Sequence, residues 1–210
     1  MKKVILTSAF YLLISFFVKA QSDKFQTAMG SALQEYSAAK DAPSLIAVES
    51  KFERIGDAEK TQWLPYYYAA LIKVHMSFSK MGDPDKLADE AAVIIEKAKA
   101  IESNSETLTI EAMIATAKMV VNPQARYMEY GPKSNGFIEK AKAADTTNPR
   151  PYVFQSQTLR NTPEAFGGGC QSAKPIAEKA LELFASFKPA SPLYPNWGKE
   201  QAQKIVEDCK

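Results

Sequence analysis

The 210-residue chain contains one histidine and two cysteines, and that shortage excludes most metal and nucleophile chemistry. His75 is the single imidazole, so Ser-His-Asp or Cys-His catalysis would have to run through it, and no nucleophile motif stands beside it. Zinc sites need several closely spaced nitrogen and sulfur ligands, which one histidine and two distant cysteines do not supply. The absence of Cys-x-x-Cys speaks against thiol redox catalysis. Asp83, Asp85, Asp89 and Glu90 look like a calcium cluster, but Leu87 occupies a ligand position and the loop glycine is missing. No metal and no cofactor is expected. Basic residues, 26 against 24 acidic, are mixed with acids along every helical segment, so nucleic-acid binding lacks its electrostatic footprint.

Long apolar runs are also missing, apart from one at the start. Lys2 and Lys3 precede an apolar stretch from Val4 to Val18, and Val18-Lys19-Ala20 leads into Gln21. The pattern reads as a secretory signal peptide over residues 1–20, with the mature chain beginning at Gln21. An uncleaved anchor is the alternative, but the run is shorter than the roughly 20 residues that span a bilayer. Removing Lys2, Lys3 and Lys19 leaves 23 basic residues against 24 acidic ones, so the basic balance of the whole chain misleads. A periplasmic or secreted location follows. In such a compartment Cys170 and Cys209 are read as a disulfide tying the last helix to the final hairpin.

From Ser22 onward the apolar positions repeat with a helical period and no stretch alternates like a strand. Phe25, Met29, Ala32, Leu33 and Tyr36 share one face; Leu45, Val48, Phe52 and Ile55 follow after Pro43. A longer segment carries Trp63, Tyr67, Leu71, Val74 and Phe78. Asp83-Pro84 opens the next as N-cap and first helical residue. Residues 107–121 are apolar on nearly all sides, as in a helix sandwiched between neighbours. Pro123 restarts the chain, a short piece over 125–130 is expected to stop at Gly131-Pro132, and the next amphipathic helix is expected over 136–145. Pro149 and Pro151 open a helix to Arg160, and a capping helix is expected within 195–209. The fold class is all-α, one domain over residues 21–210.

An internal repeat is legible in Glu96-Lys97-Ala98-Lys99, Glu139-Lys140-Ala141-Lys142 and Glu178-Lys179-Ala180-Leu181. Each copy has a small residue seven positions before its alanine: Ala91, Ser134 and Ala173. Small side chains one heptad apart allow a neighbouring helix to approach closely. With Asp145-Thr146-Thr147-Asn148-Pro149 as punctuation and Gly168 five residues before Ala173, the segment resembles a tetratricopeptide-repeat array of antiparallel helical hairpins. The repeat spacings of about 40 residues exceed the family's ~34 and would also suit HEAT-like pairs. The clearest repeats are 61–101, 105–145 and 149–187. The resemblance implies first helices 61–80, 105–130 and 149–161, which would line a concave face, and second helices 84–101, 134–145 and 171–187.

That face supplies the candidate binding residues Tyr66, Tyr68, His75, Arg126, Tyr127, Tyr130, Tyr152, Gln155 and Arg160. Tyr66, Tyr67 and Tyr68 are consecutive and span about 200° of a helix, so at least one is expected to face the groove or solvent. Gly167, Gly168 and Gly169 could cradle an anion, but no Gly-Lys-Ser/Thr follows and no strand precedes them, so they read as an interhelical turn. The sequence thus points to an exported, non-enzymatic helical-repeat protein that binds a protein or peptide through its concave face. The alternative is a small-molecule-binding or transport-accessory protein, similar to periplasmic tetratricopeptide-type transport subunits, with an enclosed pocket among Tyr67, Tyr127 and Tyr152. A hydrolase built on paired carboxylates is a third reading and needs two of them converging in a cleft.

Overall fold

The computed structural model describes residues 23–210; the signal-peptide expectation lies outside the described residues. Among these residues there are nine α-helices and no strand. They are α1 (23–38), α2 (Ala42–Glu59), α3 (Leu64–Phe78), α4 (Pro84–Ile101), α5 (Ser105–Val121), α6 (Pro123–Ala144), α7 (Arg150–Asn161), α8 (Cys170–Ser186) and α9 (Lys199–Asp208). A single 3₁₀ turn, Glu164–Phe166, lies between α7 and α8.

Local chemistry sets the helix starts. Asp41 caps α2 by accepting from the Ser44 N–H at 2.8 Å, Asp83 caps α4 through the Lys86 N–H, and Asn104 caps α5 through the Glu106 and Thr107 N–H groups. Proline follows the cap in α2 and α4, where its missing N–H costs nothing.

Consecutive helices pack as antiparallel pairs: α3 on α4, α5 on α6, α7 on α8. The odd-numbered helices α3, α5, α7 and α9 also pack on one another in order, forming an inner row, whereas the backbones of α4, α6 and α8 do not pack closely on one another. The Glu-Lys-Ala-Lys repeat explains how one hairpin grips the next. Lys99 bonds Glu96 on its own helix and Glu111 on α5, both at 2.8 Å; Lys142 bonds Glu139 and Gln155 on α7 in the same way. In the third copy Leu181 replaces the lysine and joins the apolar cluster of Val153, Ala173, Ala177, Ala180, Ala202 and Ile205. Through that cluster α9 covers the last hairpin. The Cys170–Cys209 disulfide, with Cα atoms 5.2 Å apart, fastens it there.

Two expectations are corrected. The α5–α6 hairpin turns at Asn122, because α6 continues through Gly131 and Pro132 to Ala144. A proline in a helix interior forfeits a hydrogen bond and costs about 3 kcal/mol. Packing offsets that cost: Ser134, two residues on, sits buried with its hydroxyl 2.7 Å from Thr116 Oγ1 and 3.1 Å from the Ala112 carbonyl on α5. The segments expected as 105–130 and 134–145 are therefore α5 and α6. The second correction concerns Tyr66, Tyr67 and Tyr68, all of which are buried. Neighbours α2, α4 and α5, with the segment before α9, surround α3 on every side, so a 200° wedge of aromatics fits inside.

Candidate binding surface

The linker 187–198 does not hang free but crosses the first turns of α3, α5 and α7. Tyr68 donates to the Leu193 carbonyl at 2.8 Å, Trp197 donates its indole N–H to the Tyr67 hydroxyl at 2.8 Å, and Arg150 donates to the Pro195 carbonyl at 3.0 Å. Tyr194 packs edge-on against Trp63, and the Arg150 guanidinium lies over Phe187. Beneath this strap the Arg150 Nε reaches both carboxylate oxygens of Glu106 at 2.7 and 2.8 Å, and Asn148 bonds the same carboxylate. At its lower end, the inner face is filled by the chain itself.

The sequence-predicted residues therefore separate into three groups. Tyr66 is buried with its hydroxyl on Asp57, and Tyr68 is held by the strap. His75 is half-buried, its Nδ1 3.1 Å from the Tyr36 hydroxyl; burial pushes its pKa down to about 4. Tyr152 and Gln155 lie at the junction of hairpins, under and against Lys142. Arg126 is locked bidentately to Asp85 of α4, with contacts of 2.5 and 2.9 Å. Tyr127, Tyr130 and Arg160 keep access to solvent. Tyr67, Tyr127 and Tyr152 thus have separate surroundings and enclose no common pocket.

Paired carboxylates do occur, on α2, where Glu49 and Glu53 occupy successive turns. Burial raises the Glu49 pKa to about 7, opposed by Lys73 at 3.6 Å and reinforced by Glu53. Glu49 is buried in the α2–α3 interface rather than open to a cleft, and a hydrolase needs the cleft.

What remains accessible is the end of the array that carries the hairpin turns. The α6 helix has 22 residues and α7 has 12, which at 1.5 Å per residue makes them about 33 and 18 Å long. Lys142 near the end of α6 meets Gln155 in the first half of α7, so the two helices are aligned at their lower ends. The upper half of α6 consequently stands above the end of α7, and α8 packs on α7 and α9 rather than covering it. A step results. Met128, Asn135 and Lys142 are spaced by heptads and share one face of α6; Lys142 meets α7, while Met128, above the point where α7 has stopped, is 82% exposed. Beside it Tyr127 is 52% exposed, its ring laid on Gly131, where an added Cβ would come within 3.1 Å of it.

The turn that ends α7 carries a third apolar group, Phe166, 77% exposed. Its presentation is rigid. Gly169 N–H bonds the Leu159 carbonyl and Gly168 N–H the Pro163 carbonyl. A Cβ on Gly168 would fall 2.1 Å from the Thr162 carbonyl oxygen, so the close approach of chain to chain demands glycine there. The glycines act as the interhelical turn, and what they hold out is an aromatic ring. Arg160, six residues earlier in α7, is exposed as well.

Met128 and Phe166 were absent from the sequence-derived candidates. Met128 becomes visible only when α6 is allowed to run through Pro132, which places it in register with Lys142.

The sequence matches no family model and no curated protein. Among solved structures, the HusA haemophore from Porphyromonas gingivalis superposes with a TM-score of 0.80 and 30% sequence identity, covering 89% of this chain and 92% of that one. The chain belongs to the HusA family. Membership accounts for the whole described architecture, since the match takes in nearly all of both chains. No helix among the described residues is long and apolar enough to cross a membrane.

Proposed function

We propose that this protein is an exported, non-enzymatic carrier of tetratricopeptide type whose ligand is a planar tetrapyrrole of the haem class, bound at the step above α7. The observation that carries the reading is 30% identity over 92% of a protein named as a haemophore. The step supports it chemically: Tyr127, Met128 and Phe166 offer aromatic and polarizable apolar surface to a flat disc, and Arg160 offers a cation to an acidic edge. Large apolar side chains left exposed in one region mark a binding surface more often than chance. The peptide-in-groove reading is weaker, because the strap already fills the lower inner face.

Absorbance titration of the purified protein with haem tests the proposal. Saturable binding with a dissociation constant of roughly micromolar or tighter is expected, weakened at least tenfold in a Met128→Asp, Phe166→Asp variant whose helical circular dichroism is unchanged. Absence of saturable binding to the wild-type protein would overturn it, and undiminished binding by the variant would remove the step as its site.

A further inference from the structure

We infer that residues 187–209, the strap together with α9, form a redox latch: the Cys170–Cys209 bond holds the unit shut, and a dithiol reductant releases it as one piece while α1–α8 stay folded. The latch needs no tetrapyrrole and stands apart from the haem-class reading.

Apart from the disulfide, little fastens α9. It has ten residues, of which Ala202 and Ile205 are buried, and helices shorter than about 12–15 residues are marginal in water unless packing supports them. Its polar side chains bond within the helix: Lys204 pairs with Asp208, and Gln201 accepts from the Gly198 N–H. What joins it to α7 and α8 is the apolar contact of Ala202, Ile205, Val206 and Trp197, and one covalent bond at its last turn.

The strap is held as narrowly. Pro189, Pro192 and Pro195 carry no N–H, and the bond from the Tyr194 N–H to the Ser191 carbonyl stays within the segment. Three side-chain bonds attach it to the inner helices, from Tyr68 to the Leu193 carbonyl, from Arg150 to the Pro195 carbonyl and from Trp197 to the Tyr67 hydroxyl. All three fall between 193 and 197, a few residues before α9, so freeing the helix removes the anchor beside them. Gly198 joins strap to helix, pressed so closely on Val153 and Phe184 that an added Cβ would lie 3.1 Å from each. By contrast, α8 keeps its own grip on α7 through Ala173, Ala177 and Ala180 against Val153. The chain therefore parts after α8.

Cys170, the first residue of α8, is half-buried rather than sealed. An external thiolate attacks one sulfur and the other leaves as a thiolate and takes up a proton; the reductant's second thiol then displaces the first protein sulfur. Two electrons pass to the cysteines and the reductant ends as a disulfide. Opening uncovers Trp63, Tyr67 and the Arg150–Glu106 pair, the aromatic and charged wall that the strap now seals.

Hydrogen exchange read by mass spectrometry on the full chain, with and without dithiothreitol at neutral pH, tests the latch, with alkylation to count free thiols. Both cysteines should become alkylated, and exchange over 187–209 should rise roughly tenfold or more, the strap and α9 losing protection together while α3–α6 keep theirs. The Cys170→Ser, Cys209→Ser variant should exchange fast over the same residues without reductant and ignore its addition. Unchanged protection over 187–209 after the bond is broken would overturn the inference and leave a plain staple. A rise spread over every helix would overturn it in favour of general destabilisation, and so would a rise confined to α9, since the strap would then be held independently. A bond that dithiothreitol breaks only after the chain unfolds would overturn it as well.

Discussion

Trp197 donates its indole N–H to the hydroxyl of Tyr67 at 2.8 Å across 130 residues of sequence. The contact joins the strap before α9 to the most deeply buried tyrosine of α3, and through Glu106 it continues to Arg150 on α7. Replacing Trp197 by phenylalanine removes the donor and part of the ring. A loss of about 1–3 kcal/mol is expected, measured by urea unfolding. A double-mutant cycle with Tyr67→Phe should show the two changes to be less than additive, since each deletes the same bond.

Arg150 and Glu106 form a sealed ion pair. Arg150→Met leaves a buried carboxylate without its cation and should cost on the order of 3–5 kcal/mol. The paired change Arg150→Met, Glu106→Gln should recover part of that loss, because no uncompensated charge is left inside. If the single variant unfolded at the wild-type denaturant midpoint, the pair would have no structural role.

His75 and Glu49 tilt the pH dependence of stability in opposite directions. The folded-state pKa of His75 is about 4 against about 6.5 unfolded. Between those values the unfolded chain binds a proton that the folded one refuses, so stability falls as pH drops through the window. Glu49 is raised to about 7 from about 4.3. The folded state keeps a proton that the unfolded chain has lost, so stability falls as pH rises through that window. His75→Gln should therefore flatten the acid side, and Glu49→Gln should raise stability at pH 8 relative to pH 5, each by on the order of 2 kcal/mol. Melting temperatures across pH 4–9 read both slopes.

The disulfide closes a loop that contains α8, the strap and α9. Replacing Cys170 and Cys209 by serine should lower the melting temperature under oxidising conditions, with a loss of about 2–4 kcal/mol. Added reductant should bring the wild type down to the variant. Equal melting temperatures without reductant would count against the bridge.

Much of the architecture was legible because amphipathic helices with proline and Asp/Asn starts announce themselves locally. Asp83-Pro84 opens α4 as expected, the Glu-Lys-Ala-Lys copies lie on α4, α6 and α8, and the two cysteines pair. The turn between α5 and α6 was misplaced because Gly131-Pro132 is a strong local stop. Only the bonds of Ser134 to α5 show what overrides it. Tyr66 and Tyr68 looked available because a wedge of three tyrosines exceeds one buried face; the strap and α2 supply the further faces from distant sequence.

By itself the sequence determined the helices, their pairing rhythm and the covalent staple, since each depends on side-chain period, capping chemistry or cysteine count within a short span. Tertiary structure alone decided where the accessible apolar surface lies. Residues 187–198, with no regular period, fold back over the inner helices, and a helix of 22 residues packs beside one of 12. The first closes the groove that the repeat pattern implied. The second leaves Met128 standing beyond the end of its neighbour, because burial depends on what packs against a residue.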